Sequence, residues 1–468
     1  MDTPRTLFEK IWQSHTIIEE EGGQSLLYVD WLLCSEGSIH AFNILRQEGV
    51  GIRRPGQVKG VADHYASTSG PRLQDVMGDD RRNMIRTLER NTGEFGVELF
   101  GLEHPARGIQ HLVGPEQGMT QPGLIVLCGD SHTSTQSAVG ALAFSIGGEL
   151  AHALATQTVW QRKPRKMRVW VKGTRPRGVS AKDVILAIIA QVGHSGALQH
   201  AVEYDGPAIR AMSIEERMTV CNMSVEAGAR LGIIGPDEKT YEYLRNRPYG
   251  PREGEEMDRA TAYWRTLPTD PGALFDKEHV LDAGTLTPMV TWGNTPADAV
   301  SIEARVPDPQ DESDEQRRNS MERSLQYMGL RPGTRMQDIA VDQVFIGSCT
   351  NGRLADLRAA ASVIRGRRAV VPALVSPGSQ QVKRNAEAEG LDRIFREAGF
   401  TWGEASCSMC VGMNGDSVPE GMRCASTSNR NFRGRQGPGS RTHLLGPEMA
   451  AAAALAGRLT DVREWLET

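Results

Sequence analysis

The fold class this sequence predicts is α/β, in several domains, and three observations predict it. Twice a short apolar run leads through a polar turn into a helical period. Leu124–Leu127 runs into Gly129-Asp130-Ser131-His132-Thr133, and Val341–Ile346 runs into Gly347-Ser348-Cys349-Thr350-Asn351. That order belongs to parallel sheets, whose carboxyl edges present such turns to ligands. The chain's 468 residues exceed one ordinary core, so roughly two to four domains are expected. Two charged, proline-containing stretches then divide it into 1–165, 166–310 and 311–468.

Taken in order, residues 3–20 read as an amphipathic helix and Ser25–Val29 as a short apolar segment. Cys34–Phe42 reads as a turn opening into a helix. Val58–Ala62 precedes Asp63-His64, a pair that can fix one imidazole tautomer but is more often a structural hydrogen bond. His104 and His111 lie in a loop-rich stretch ending at Gln121-Pro122-Gly123. The period after Thr133 reads as helical through Ala155, although Asp130 and Ser131 would also serve as plain helix caps. The basic run Arg162–Lys166 marks the first boundary. Met167–Val171 follows as a strand, Ala181–Gln191 as a helix, and Met218–Ala229 as a helix with Asn222 and Glu226 on one face. Residues 303–320 lack apolar periodicity and read as a linker. In the third unit, a helix starts at Arg353, Val370–Val375 reads as a buried strand, and Ala450–Ala456 as a helix. Arginines 430, 433 and 435 among Asn and Ser suit carboxylate or phosphate recognition, or a basic surface loop. There is no internal sequence repeat, Walker loop or GxGxxG after a strand.

Composition, with 39% hydrophobic and 24% charged residues, is that of a globular protein. A net charge of −5 gives no electrostatic reason to expect nucleic acid or an anionic membrane as partner. No secretory signal or membrane span is expected, and seven sparse cysteines point to a reducing compartment, so the cytoplasm.

Chemistry concentrates at Cys349 and at Cys407-Ser408-Met409-Cys410. Three thiols suit a [4Fe-4S] cluster, leaving one iron without a cysteine and free for Lewis-acid work. The same CxxC step suits zinc or a redox dithiol, and the cysteines could equally be buried for packing.

IGSCTNGR at 346–353, SCSMCVGMN at 406–414 and STSNRNFRGRQG at 426–437, with LVGPEQG at 112–118, GDSHT at 129–133 and CNMSVEAGA at 221–229, resemble the aconitase superfamily over essentially the whole chain. The resemblance is strongest to the large-subunit family of 3-isopropylmalate dehydratases, also called isopropylmalate isomerases. It implies three α/β/α-type domains around a central iron–sulfur cluster. Cys349, Cys407 and Cys410 match the ligands, and Asn222 and Asn429 the side chains that hydrogen-bond near the cluster. Asp63 and His64 match a pair that handles the substrate hydroxyl, and Asp130 and His132 adjoining acidic and imidazole groups with Ser131 between them. His111 and Glu226 match a second imidazole–carboxylate pair, and Arg430 and Arg435 the grip on substrate carboxylate.

The reaction so implied is dehydration and rehydration of a hydroxy-diacid: 2-isopropylmalate to 3-isopropylmalate through isopropylmaleate, in leucine biosynthesis. In single-chain aconitases a swivelling domain carries the serine base. This sequence has three domains' worth of chain, so the resemblance implies a separate small subunit as partner. The sequence departs from the family at 34–42, where His40 stands in place of a glutamine, at 145–152 and at 193–200. Those departures leave room for another substituted malate, of 2,3-dimethylmalate or homoaconitate type. A cluster-free RNA-binding relative is disfavoured by the intact thiols and the absence of basic enrichment. Cys424 has no role in the resemblance and reads as a buried structural thiol.

Overall fold

The structure, a computed structural model, describes residues 3–466. Thr6 caps the first helix, Leu7–His15, in a capping box with Glu9. The helix was expected to run to residue 20 but stops at His15. The β-branched run Thr16-Ile17-Ile18 forms instead the strand β1 (Thr16–Glu19), which turns at Gly22-Gly23 into antiparallel β2 (Gln24–Tyr28).

The first parallel sheet comprises β3 (Trp31–Cys34), β4 (Val58–Val61), β5 (Glu98–Phe100), β6 (Ile125–Cys128) and β7 (Leu142–Ser145), in spatial order β5-β4-β3-β6-β7. β4 and β6 are buried along their whole length, as apolar parallel strands covered on both faces should be. The helical period expected through Ala155 is broken. A 3-10 segment, Ser131–Val139, leads into β7 before the helix Leu150–Thr156. Next, β8 (Thr158–Arg162) joins the β1–β2 hairpin, and only residues 163 and 164 separate it from β9 (Arg165–Lys172).

β9, β10 (His200–Asp205), β11 (Leu231–Ile234) and β12 (Lys277–Asp282) form a second parallel sheet in the order β11-β10-β9-β12. Ser180 caps the helix Ala181–Val192 on this sheet. The helix expected over 218–229 begins earlier, at Ile214, and tightens to 3-10 geometry at Ser224–Ala227. It is buried almost throughout, so Asn222 faces the interior. β13 (Met289–Thr291) and β14 (Ala299–Ser301) make a small antiparallel ribbon.

The stretch 303–320, expected as a linker, contains the start of a helix, Glu315–Met328, whose Met321, Leu325 and Met328 are buried. Its apolar stripe starts at Met321, just beyond that stretch. The third parallel sheet has β15 (Gln343–Ile346), β16 (Ala373–Val375), β17 (Thr401–Trp402), β18 (Arg423–Ser426) and β19 (Arg441–Leu444), in the order β17-β16-β15-β18-β19. The expected strand 370–375 shrinks to its last three residues, and Val370 is 66% exposed.

The first and third sheets share one topology: the first strand at the centre, the second and third on one side, the fourth and fifth on the other. In such doubly wound sheets, ligands bind at the carboxyl edge beside the central strand, where the chain reverses direction of travel. No helix among the described residues is long and apolar enough to cross a membrane.

Candidate active site

The loops leaving the carboxyl ends of these two sheets deliver the candidate residues. β4 ends two residues before Asp63, β6 two before Asp130, β15 three before Cys349 and β18 three before Asn429. Gly347 makes the turn after β15 possible: a side chain there would strike the Phe345 ring and the Ser376 carbonyl. Two non-glycine residues beside the thiols hold positive φ, Ser348 at 71° and Ser408 at 49°. Such backbone persists where the surroundings over-determine it, and it clusters at functional sites. Around Ser408 the fixing group is Asp416, which accepts hydrogen bonds from Ser408 Oγ at 2.7 Å, Thr68 Oγ1 at 2.8 Å and Asn414 Nδ2 at 2.8 Å.

All seven cysteines are free and buried. Four of them, Cys34, Cys128, Cys221 and Cys424, have no accessible surface, whereas Cys349, Cys407 and Cys410 keep 5–6%. Cys424 packs on Phe345, Met409 and Val418, as a structural thiol should. Cys349 and Cys407 pack together with Ile109 and Leu112. Cys349 Sγ accepts from Asn222 Nδ2 at 3.1 Å and Asn429 Nδ2 at 3.4 Å, and Cys410 Sγ lies 3.6 Å from Asn429 Oδ1. Cys407 donates to Asp63 Oδ1 at 2.9 Å. Burial and the neighbouring negative groups push the Cys349 and Cys407 thiols up. A bound metal reverses that, because a ligating thiol loses its proton outright. Two amide donors on one sulfur suit a ligating thiolate better than a thiol. A rival set exists: the ligand atoms of Asp63, His64 and Cys407 lie within 4.8 Å of one another, which fits a single zinc.

Imidazoles and carboxylates alternate beside the thiols. His64 Nδ1 is 3.6 Å from Asp63 and its Nε2 is 3.2 Å from Asp130 Oδ2. His132 adjoins Asp130 as expected, its backbone N–H donating to Asp130 Oδ1 at 2.8 Å, but the second expected pair is not formed. His111 binds Asp130 at 2.8 Å and His132 binds Glu226 at 2.9 Å, so His111 and Glu226 are not partners. The 3-10 turn of 224–227 places Glu226 over the β6 loop, and the helix Gln110–Gln117 carries His111 to Asp130. Burial works against charge on His64, but Asp63, Asp130 and Glu36 outweigh it and raise His64 to about 10. Asp130, although buried, is held well below the usual carboxylate range by His111, His132 and His64. Glu226 is likewise lowered, against its burial, by His132 and Arg430.

Arg430 Nε donates to Glu226 at 2.8 Å and its Nη1 to Ser131 Oγ at 3.0 Å. Arg435 Nε donates to the Cys410 carbonyl at 2.9 Å, and its guanidinium stacks on the Phe432 ring. Arg433 instead turns outward to the Arg323 carbonyl. Sequence reasoning missed Glu36, which is fully buried and whose carboxylate takes the backbone N–H groups of Asp63 at 2.9 Å and His64 at 3.3 Å. It also missed Arg107, buried against the Ala405 carbonyl at 2.7 Å. The available signal was a lone charge inside an otherwise apolar or small-residue stretch.

Two doubly wound sheets bring thiols, imidazoles, carboxylates and guanidinium groups to one place, a set able to do acid–base chemistry, with thiols able to hold a metal centre. The chain belongs to the aconitase family, whose model, described as aconitate hydratase, matches residues 9–457. Members of that family are hydro-lyases that typically carry a [4Fe-4S] cluster. Among solved structures, the holo-form of Thermococcus kodakaraensis aconitase X is similar at 11% identity over 87% of this chain and 84% of that chain, with a TM-score of 0.46.

Proposed function

We propose that this chain is the large subunit of a hydro-lyase of the isopropylmalate isomerase type, interconverting 2-isopropylmalate and 3-isopropylmalate through isopropylmaleate in leucine biosynthesis. In this reading Cys349, Cys407 and Cys410 hold a [4Fe-4S] cluster, and one iron has no cysteine. The observation that carries it is Cys349 Sγ, set between strained Ser348 and two amide donors on separate sheets' elements. When bound, such a cluster supplies a Lewis-acidic iron for a hydroxyl or carboxylate oxygen.

The chain's own groups do the rest. His64, kept protonated by the carboxylates around it, is the acid that donates a proton to the departing hydroxyl. Arg430, aimed by Glu226 and Ser131, and Arg435, aimed by the Cys410 carbonyl, take substrate carboxylate. Asp130 and Glu226 are each engaged by imidazole, and Asp63 accepts the Gln110 N–H and lies 3.6 Å from His64, so none is a free base for the carbon-bound proton. That supports a base arriving on a small-subunit partner. Seven free thiols support a cytoplasmic setting.

One observation favours a second substrate, a malate of the 2,3-dimethyl or homoaconitate type. The departing stretch 193–200 packs behind the site, where Ala197 N–H binds the Ala227 carbonyl at 2.9 Å, one residue past Glu226. Turnover of a panel of substituted malates by the reconstituted two-subunit enzyme decides. Isopropylmalate as best substrate supports the first reading, and preference for another malate replaces it.

A further inference from the structure

Lys182 is the one basic side chain in the apolar helix Ala181–Val192, and it is fully buried. Its ammonium leaves its own helix and donates to the Thr427 carbonyl at 2.8 Å, the Ser428 carbonyl at 2.6 Å and Asn351 Oδ1 at 3.3 Å. Thr427 and Ser428 directly precede Asn429, and Asn351 lies two residues past Cys349. One cation from the second sheet's helix therefore ties together both third-sheet loops that meet at the Cys349 sulfur. Thr219 adds a parallel tie, its Oγ1 donating to the Thr350 carbonyl at 2.9 Å.

Burying an ammonium is costly unless carbonyls and negative charge surround it. Burial presses the Lys182 ammonium down to about 7 against the support of Asp356, Cys410 and Cys349. A cluster with three thiolates brings net negative charge to that neighbourhood, and this would favour the cation.

We propose that Lys182 is a positioning residue for the cluster site: it locks the loops bearing Cys349 and Asn429 and places a compensating positive charge behind the thiolates. The charge half rests on the cluster reading above, whereas the loop-locking half does not. Removing the cation makes the cluster harder to reduce and looser in its grip on iron.

The test compares wild type with Lys182→Gln, which keeps donors without charge, Lys182→Met, which removes both, and Lys182→Arg, which keeps charge. A cavity of about 240 Å³ lies beside Lys182, lined also by Thr219, Asn351 and Asp356. In the chain without cluster, amide hydrogen exchange over 426–431 should quicken in Lys182→Met and stay near wild type in Lys182→Arg. After anaerobic reconstitution, Lys182→Gln should have a lower reduction potential and lose iron to a chelator at least about tenfold faster, as expected when a charged hydrogen-bond donor is removed. Unchanged exchange in Lys182→Met overturns the loop-locking role. A Lys182→Gln cluster with wild-type potential and iron-release rate overturns the charge role. Wild type that takes up no cluster overturns the cluster reading, and the exchange result then stands alone. If Lys182→Met does not fold, the exchange comparison passes to Lys182→Ala, which also lacks the donors and in which unchanged exchange over 426–431 overturns the loop-locking role.

Discussion

His64 lies between Asp63 and Asp130, with Glu36 gripping its backbone from behind. Its proton is held more tightly in the folded chain than in an unfolded one, where a histidine titrates near 6.5. Its ion pairs therefore stabilise the fold fully below about pH 6.5, and that contribution is lost as pH rises through about 10. In the proposed reaction the same shift would leave His64 protonated, and so able to act as an acid, at neutral pH. Replacing His64 by Gln should lower kcat by about 10²–10⁴-fold, the usual worth of a placed general acid. The cluster spectrum should stay intact, and loss of the spectrum would instead make His64 a structural group. Asp63→Asn should move the alkaline limb of the pH–rate profile to lower pH, and an unmoved limb would remove Asp63 as the source of the shift. The Asp63-His64 pair was legible as adjacent letters. That Asp130 closes the other side, and that Glu226 pairs with His132 rather than with His111, was not, because those contacts join separate loops.

At the scale of elements, β18 and β19 carry a buried pair that no motif signals. His443 Nδ1 faces the Thr291 carbonyl of β13 at 2.5 Å, and its Nε2 meets Arg423 Nη1 at 2.8 Å. The ring is therefore neutral, donating at Nδ1 and accepting at Nε2. Burial and the Arg423 charge lower His443 to about 3. An unfolded histidine takes its proton near 6.5, so acid favours unfolding, and stability should fall as pH drops from about 6.5 towards about 3. A melting-temperature series over that range should show a shallower acid slope in His443→Gln, and an identical slope would clear His443 of the effect. Parallel strands were readable as apolar runs because both their faces are covered. The edges were not: Thr16–Glu19 took a helical period by continuity with the preceding helix, and the Glu315–Met328 helix hid behind the charged surface of its first turns.

Across the whole molecule, the first and third sheets repeat one strand order with no repeat in sequence. Topology is set by the order of apolar runs and crossovers, which many sequences satisfy, whereas the loops that differ carry the chemistry. The first sheet supplies imidazoles and carboxylates, the third supplies thiols and arginines, and the second inserts Asn222, Glu226 and Lys182 between them. If a partner completes this site, the purified large chain alone should show little turnover, and adding the small subunit should raise it by orders of magnitude; full activity of the large chain alone would end that proposal. We propose that Cys349, Cys407 and Cys410, and not Cys424, hold a four-iron cluster. This is tested most directly by counting iron and sulfide, with the visible spectrum, after anaerobic reconstitution of wild type, Cys349→Ser and Cys424→Ser. Wild type and Cys424→Ser should each hold about four iron and four sulfide per chain, and Cys349→Ser should lose the cluster. A wild-type chain that binds a single zinc and no sulfide, or a cluster that survives Cys349→Ser, would contradict it.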